Sequence, residues 1–360
     1  MPVPIAAVPH PVPDTTPDLM LDDDVRLSVL DLSPVSEGST AAAALRSSIE
    51  LAAHVEALGY HRYWVAEHHN MPGIASSSPA VLLSNVAPHT STIRLGSGGV
   101  MLPNHSPLTI AEQFGMLEAL YPGRIDLGLG RAPGTDQLTA RALRRTALTA
   151  HDGDLGAQLA ELLGYFTGEF PAGHPYEHIT AAAALGNLPA IWILGSSDYG
   201  AHLAGQLGLP FSFAHHFAGH NTMAAVDVYR SAFRPSAALE RPYVMLGVGV
   251  VCASGDDEAD YLAGSGRLSF LRLRSGRPGR LPTPEEAAAH EYTPMDREVI
   301  RSWTSTSVVG SSSSVHAQLR DLARRTGADE LMITTNVHDP AARRDSYRLV
   351  ADACAAMAER

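Results

Sequence analysis

SPLTIAEQFGMLEALYPGRIDLGLG, residues 106–130, contains one complete structural unit. Ser106-Pro107 pairs a capping residue with a first-turn proline, which opens a helix over 106–123. RIDLGLG (124–130) then reads as a buried strand. The same alternation runs outward in both directions. Upstream lie strand VRLSVLDL (25–32), amphipathic helix 40–58 stopped by Gly59, strand HRYWVAE (61–67), helix 78–89 and strand IRLGSGGVML (93–102). Downstream come helix 152–166, strand PAIWILG (189–195), a helix around 198–207, strand LPFSFA (209–214) and helix 219–233. Strand YVMLGVGVVCA (243–253), helix 314–326, strand DELMITT (329–335) and helix 341–358 complete the chain. Eight strands, each followed by a helix and without an internal repeat, imply a parallel sheet. Eight units within 25–358 predict a (β/α)8 TIM barrel with insertions at its C-terminal face rather than an open doubly wound sheet.

Residues 25–360 therefore read as a single domain. Its largest insertion, 264–300, is rich in Arg, Gly and Pro and is expected to be a lid over one end of the barrel or a surface excursion. Residues 1–24 are Pro-rich and then acidic, with neither a basic leader nor a continuous apolar run. They are expected to be a disordered arm rather than a signal peptide.

The 360-residue chain carries a formal net charge of −12, and all 26 of its basic residues are arginine. An acidic chain without a basic stripe argues against nucleic acid as a partner, and the lack of lysine excludes a lysine mechanism. Two cysteines, with no CxxC pair and no disulfide framework, suit a reducing cytoplasm. No apolar run reaches membrane-spanning length.

In such a barrel, ligands bind where strands end at their C-terminal side. This sequence places polar residues there: Asp31 to Pro34 with Ser33, Glu67-His68-His69-Asn70 followed by Met71, Gly98-Gly99, then His105, Gly130-Arg131, Gly195-Ser196-Ser197 and His215-His216. Gly195-Ser196-Ser197 before a helix suits an anion at the helix N-terminus, or plain capping. Arg131 would add a bidentate contact, or sit in a surface ion pair. Glycines inside a strand point to a closely approaching ligand or to a barrel bend. Neighbouring strand residues face opposite ways, so His68 and His69 make a poor metal pair, and no metal site is expected. No GxSxG elbow is present for nucleophilic hydrolysis.

The pieces WVAEHH, IRLGSGGVMLPNHSP, YPGRIDLGLGRAPGTD, PAIWILGSS and LGLPFSFAHHF, in this order, resemble the bacterial luciferase-like monooxygenase family. The nearest subgroup is that of the mensacarcin-pathway oxygenase, an aromatic-polyketide tailoring enzyme. The resemblance covers about residues 25–358. It implies a barrel that binds reduced FMN (FMNH2) supplied by a separate NAD(P)H:flavin reductase. Dioxygen adds to the flavin and the product oxidises a small hydrophobic substrate, in antibiotic biosynthesis where that substrate is a polyketide. His68 matches the family's catalytic histidine, which would steady an anion or deliver a proton, oriented by Glu67 or His69. Gly98-Gly99 match a cis peptide beside the flavin ring. Arg131, Gly195, Ser196, Ser197 and Tyr199 match the phosphate site, and Arg141 a second phosphate arginine. Ser33, Glu67, His69, Met71, His105, His215 and His216 would border the substrate. The family commonly forms homodimers. Luciferase itself has a cysteine where this chain has Gly130, a glutamate where it has Gly195, and alanines at Gly98 and Gly99, which argues against light emission. Two alternatives remain: a deazaflavin-dependent hydride-transfer enzyme and a non-catalytic flavin-binding protein.

Overall fold

The computed structural model describes residues 18–21, 25–143 and 155–358. Among these residues nine strands form one parallel sheet: β1 Arg26–Asp31, β2 Arg62–Val65, β3 Arg94–Met101, β4 Ile125–Gly130, β5 Ala190–Gly195, β6 Phe211–Phe213, β7 Val244–Ala253, β8 Ser307–Ser311 and β9 Glu330–Thr334. Strands β1 to β7 pair in sequence, and β9 pairs with both β7 and β1. These eight strands close the predicted TIM barrel, and the expected helices follow them within a few residues of their predicted ends.

Strand alternation sorts the residues. Leu30, Trp64, Ala66, Trp192, Met245 and Met332 fill the barrel interior as one cluster, while a larger apolar shell packs helices against the strands' outer faces. Below the interior cluster lies a buried charge layer. Arg62 donates to Asp126 at 2.8 Å and to Glu330 at 3.0 Å; Arg94 donates to Asp126 at 2.6 Å. Trp64 Nε1 also donates to Asp126, and the Tyr243 hydroxyl to Glu330. Burial alone would raise the Asp126 pKa, but Arg62 and Arg94 outweigh it and hold the pKa down at about 2.

Strand β8 has no counterpart among the predicted strands. SVVGS is short, holds only two large apolar residues and lies in a Ser/Thr-rich run, so periodicity does not reveal it. It forms because β7 is ten residues long. The lower part of β7 pairs with β6 through Val244–Leu246 and with β9 through Met245–Gly249; its upper part, Gly249–Ala253, pairs with β8. Gly249 pairs with β8 on one edge and with β9 on the other, so β8 stands on the edge that β6 occupies lower down.

The 264–300 segment is mostly helical. Its first part belongs to helix Asp256–Arg274, packed on β7 and β8, and helices Pro284–Ala289 and Pro294–Thr304 follow. Leu281 bridges to Ser36, which ties the segment to the loop after β1. At the other end of the barrel the last described arm residues are docked, in contrast to the disorder expected of the whole arm. Asp18 accepts from Arg26 at 2.6 Å and pairs with His61 at 2.7 Å, and Leu21 is buried. The rest of the predicted arm, and residues 152–154 of the predicted helix 152–166, lie outside the described residues.

Candidate active site

His68 follows β2, and the alternation that turns Trp64 and Ala66 inward brings it to the barrel mouth. Its Nδ1 hydrogen-bonds the Gly134 carbonyl at 3.1 Å, and its own backbone N–H donates to Ser76. A carbonyl only accepts, so Nδ1 carries the proton and Nε2 is left as the acceptor. Burial lowers the pKa of His68, and the Gly134 contact offsets this only in part. The imidazole is therefore kept neutral. The main-chain carbonyl of Gly134 orients it, rather than Glu67 or His69.

Glu67 has a different task. It is fully buried, and its Oε1 accepts from His69 Nε2 at 3.0 Å and from His105 Nε2 at 2.9 Å. Its Oε2 accepts from the Met101 backbone N–H at 3.0 Å. Burial would raise its pKa, but the hydrogen bonds from His105 and His69 prevail and keep it below the ordinary value. One carboxylate thus fastens the end of β2 to the end of β3. His69 and His105 are committed to that carboxylate.

Between those strand ends the Gly98–Gly99 peptide is cis, and the β3–β4 register shifts there. The barrel itself demands small residues at this point. A Cβ on Gly98 would come within 2.7 Å of Leu30 Cδ1, and one on Gly99 within 2.9 Å of the Gly128 carbonyl oxygen.

Arg131 follows β4, and its guanidinium lies 4.2 Å above the Tyr199 ring. Tyr199 is in the first turn of helix Asp198–Leu207, whose N-cap residue Ser197 makes no side-chain capping bond. Ser196 and Ser197 are exposed beside it. Among the described residues Arg131 has no carboxylate partner. The hydroxyls, the backbone N–H groups of the first turn and the guanidinium form a donor set suited to a phosphate. Arg141 lies exposed on helix Gln137–Leu143. The described contacts do not bring it into this group.

Two adjoining cavities of about 130 and 70 Å³ open at the mouth. His68 and Met71 line the larger, and His216 the smaller. Leu32, Phe217 and Trp303 line both. His216 Nδ1 bonds the Gly247 carbonyl at 2.9 Å, so its Nε2 is also left as an acceptor. Burial pushes its pKa down to about 4. His215 instead bonds the Thr222 hydroxyl at 2.7 Å. Ser33 is fully buried and shares its hydroxyl with Ser48 at 2.7 Å, away from the cavities.

The lowered pKa of His216 has a measurable consequence. The unfolded chain binds the proton near pH 6.5, whereas the folded chain resists it until about pH 4. The neutral imidazole's contribution is complete above the unfolded value. It falls as pH drops from 6.5 toward 4, by about 3 kcal/mol. His216→Gln should therefore flatten the loss of thermal stability between pH 7 and 4.5; equal slopes in the two proteins would contradict this.

Gly134 lies in the Pro133-Gly134-Thr135-Asp136 stretch at the end of the fourth strand and Phe270 in the 264–300 segment, whereas the strand-end rule did not single out Trp303, Thr334 and Asn336. Thr334 had a signal: Glu330 and Met332 face inward, so alternation turns Thr334 the same way. Trp303 lies just past the 264–300 insertion, on helix Pro294–Thr304, and no local pattern marks it. Among the described residues, no group of three or more His, Cys, Asp or Glu is placed to hold a metal, and no helix is long and apolar enough to cross a membrane.

The family model for luciferase-like monooxygenases matches residues 25–330. The uncharacterized protein YvbT of Bacillus subtilis (strain 168) is 48% identical over 91% of this chain and 96% of its own length. A luciferase-like monooxygenase of Escherichia coli (strain K12) is 46% identical over 92% of this chain and 98% of its own. The solved structure of apo-MsnO8 superposes with a TM-score of 0.82 at 40% identity, covering 91% of this chain and 98% of that one. That level of identity makes MsnO8 a relative in the same subgroup and not the same protein.

Proposed function

The chain belongs to the luciferase-like monooxygenase family and is a flavin-dependent monooxygenase, and from that premise we propose that its flavin is reduced FMN, delivered by a separate NAD(P)H:flavin reductase. With dioxygen it would hydroxylate, epoxidise or insert oxygen into a small hydrophobic substrate of the aromatic-polyketide kind. The observation that carries this reading is the pairing, on one rim, of a phosphate-type donor set with a neutral, fixed His68 facing an apolar cavity. The same reading has the enzyme act in the cytoplasm as a homodimer, with the 264–300 segment as a mobile lid.

The donor set fits FMN because it is cationic, rich in N–H and O–H groups and located at a strand end. Arg131, Ser196, Ser197 and the first turn after Ser197 would hold the phosphate, with Tyr199 keeping the guanidinium in place. Glu67 would fix the end of β3, the strand that carries Gly98 and Gly99. Reduced flavin, when bound, supplies the electrons that activate dioxygen. His68 then accepts a hydrogen bond or a proton at Nε2 while Gly134 holds Nδ1. Leu32, Ile74, Phe217 and Phe270 exclude water from the substrate side.

Anaerobic titration of the apoprotein with oxidised and photoreduced FMN, followed by admission of air, tests the reading. Preferential binding of reduced FMN, then slow reoxidation, supports it; binding of neither form sinks it. A parallel titration with a reduced deazaflavin separates the hydride-transfer alternative, which turns over without oxygen. Arg131→Ala should weaken FMN binding by about tenfold, the worth of one charge-assisted contact. The same variant should leave binding of riboflavin, which has no phosphate, unaltered.

A further inference from the structure

The cavities at the barrel mouth hold two polar groups that the described residues do not satisfy. Among the described residues Trp303 Nε1 and Thr334 Oγ1 are buried without a hydrogen-bond partner, and both side chains line the smaller cavity. Thr334 is only 4% exposed. Trp303 lines the larger cavity as well, beside His68. The other unpartnered buried groups among the described residues, on Gln158, Ser265 and Thr335, line neither cavity. Buried polar groups are paired as a rule, so two exceptions around one space point to a missing partner. An indole N–H can only donate, and a threonine hydroxyl can donate too. One acceptor between them would satisfy both.

The shape of the surroundings narrows what carries it. The Trp303 indole lies nearly parallel to the Phe270 ring, with centroids 4.6 Å apart at 11°. Phe270 lines the larger cavity, and Val250, Val251 and Val309 line the smaller. Flat aromatic faces and branched aliphatic walls suit a planar apolar ring.

We propose that Trp303 determines specificity by donating its Nε1–H to a carbonyl-type oxygen on a planar apolar substrate, with the Thr334 hydroxyl contributing from the same cavity. This deepens the monooxygenase reading and rests on it for taking the cavity as the substrate's. A ring without such an oxygen would leave both groups unpaired and be discriminated against.

The test uses two probes that share a ring system and differ by one carbonyl, 1-indanone and indane. Their affinities for the full-length protein are measured by calorimetry. Trp303→Phe keeps an aromatic ring against Phe270 and removes the N–H. It should weaken 1-indanone binding about tenfold and leave indane within about twofold of its original affinity. Thr334→Val should show the same selective loss to a smaller degree, and it carries the test if Trp303→Phe does not fold. Equal losses for both probes, or no loss for either, would overturn the proposal. Reduced-FMN binding is measured on the same proteins. If the wild type binds no flavin, the monooxygenase reading fails while the indanone contrast still decides this one.

Discussion

Replacing His68 with alanine should lower the rate of substrate oxygenation by about 10²–10³-fold, the usual worth of a positioned acid–base group. Affinity for reduced FMN should stay within about twofold, because the proposed phosphate donors follow β4 and β5 rather than β2. The large effect follows from two constraints described above. The Gly134 carbonyl fixes the tautomer, so that the neutral ring keeps Nε2 as its acceptor. Burial holds the ring neutral by lowering its pKa below 6.5. Activity should therefore be flat above pH 6.5 and decline only below it, as His68 takes up a proton. A rate that instead falls as pH rises through neutrality would show that the protonated ring is the working form. Loss of FMN binding in His68→Ala would place the residue in the flavin seat and not in the proton-handling step.

At the opposite end of the barrel, Asp126→Leu should destabilise the fold by about 3–5 kcal/mol. Asp126 is fully buried and accepts from Arg62, Arg94 and Trp64. Removing the carboxylate leaves guanidinium groups buried with too few acceptors, and their desolvation is then uncompensated. Glu330 still pairs with Arg62, so Arg94 suffers most. The change should appear in the midpoint and free energy of denaturant unfolding, with the rate per folded molecule unchanged, since the layer lies under Trp64 and Trp192 and away from the mouth. The wild-type carboxylate titrates near pH 2 instead of the ordinary 3.8. Its contribution is thus complete above pH 3.8 and lost as pH falls through about 2. A variant as stable as the wild type would mean that the layer serves to define the barrel's geometry rather than to stabilise it.

Much of the barrel was legible because its signals are local. The short apolar run in HRYWVAE and the Ser106-Pro107 opening each depend on a few adjacent residues. The position of His68, Arg131 and Ser196–Ser197 on the rim followed from one general rule about strand ends. What each rim residue bonds depends on contacts distant in sequence. Gly134 reaches His68 from the β4 loop, and Glu67 binds His105 across β3. Ser33 is at a strand end and yet faces Ser48, because its left-handed backbone (φ 50°) and the Asp31 carboxylate fix its direction. Strand β8 was invisible because its partner, the upper half of β7, supplies what SVVGS lacks.

That division of β7 gives the molecule two separable regions. Ring closure uses residues 244–249 and the strands beside them; the cover is attached through 249–253. Only Gly249 is shared. A lineage can therefore rewrite residues 254–311, Trp303 among them, without altering one rung of the closed ring. His68, the proposed base, and Arg131, Ser196 and Ser197, the proposed phosphate donors, lie outside that stretch. One oxidising barrel can so be fitted to many substrates by exchanging a single contiguous cassette, and hybrids that join chains at Ser254 and Ser311 are the natural units for redesign.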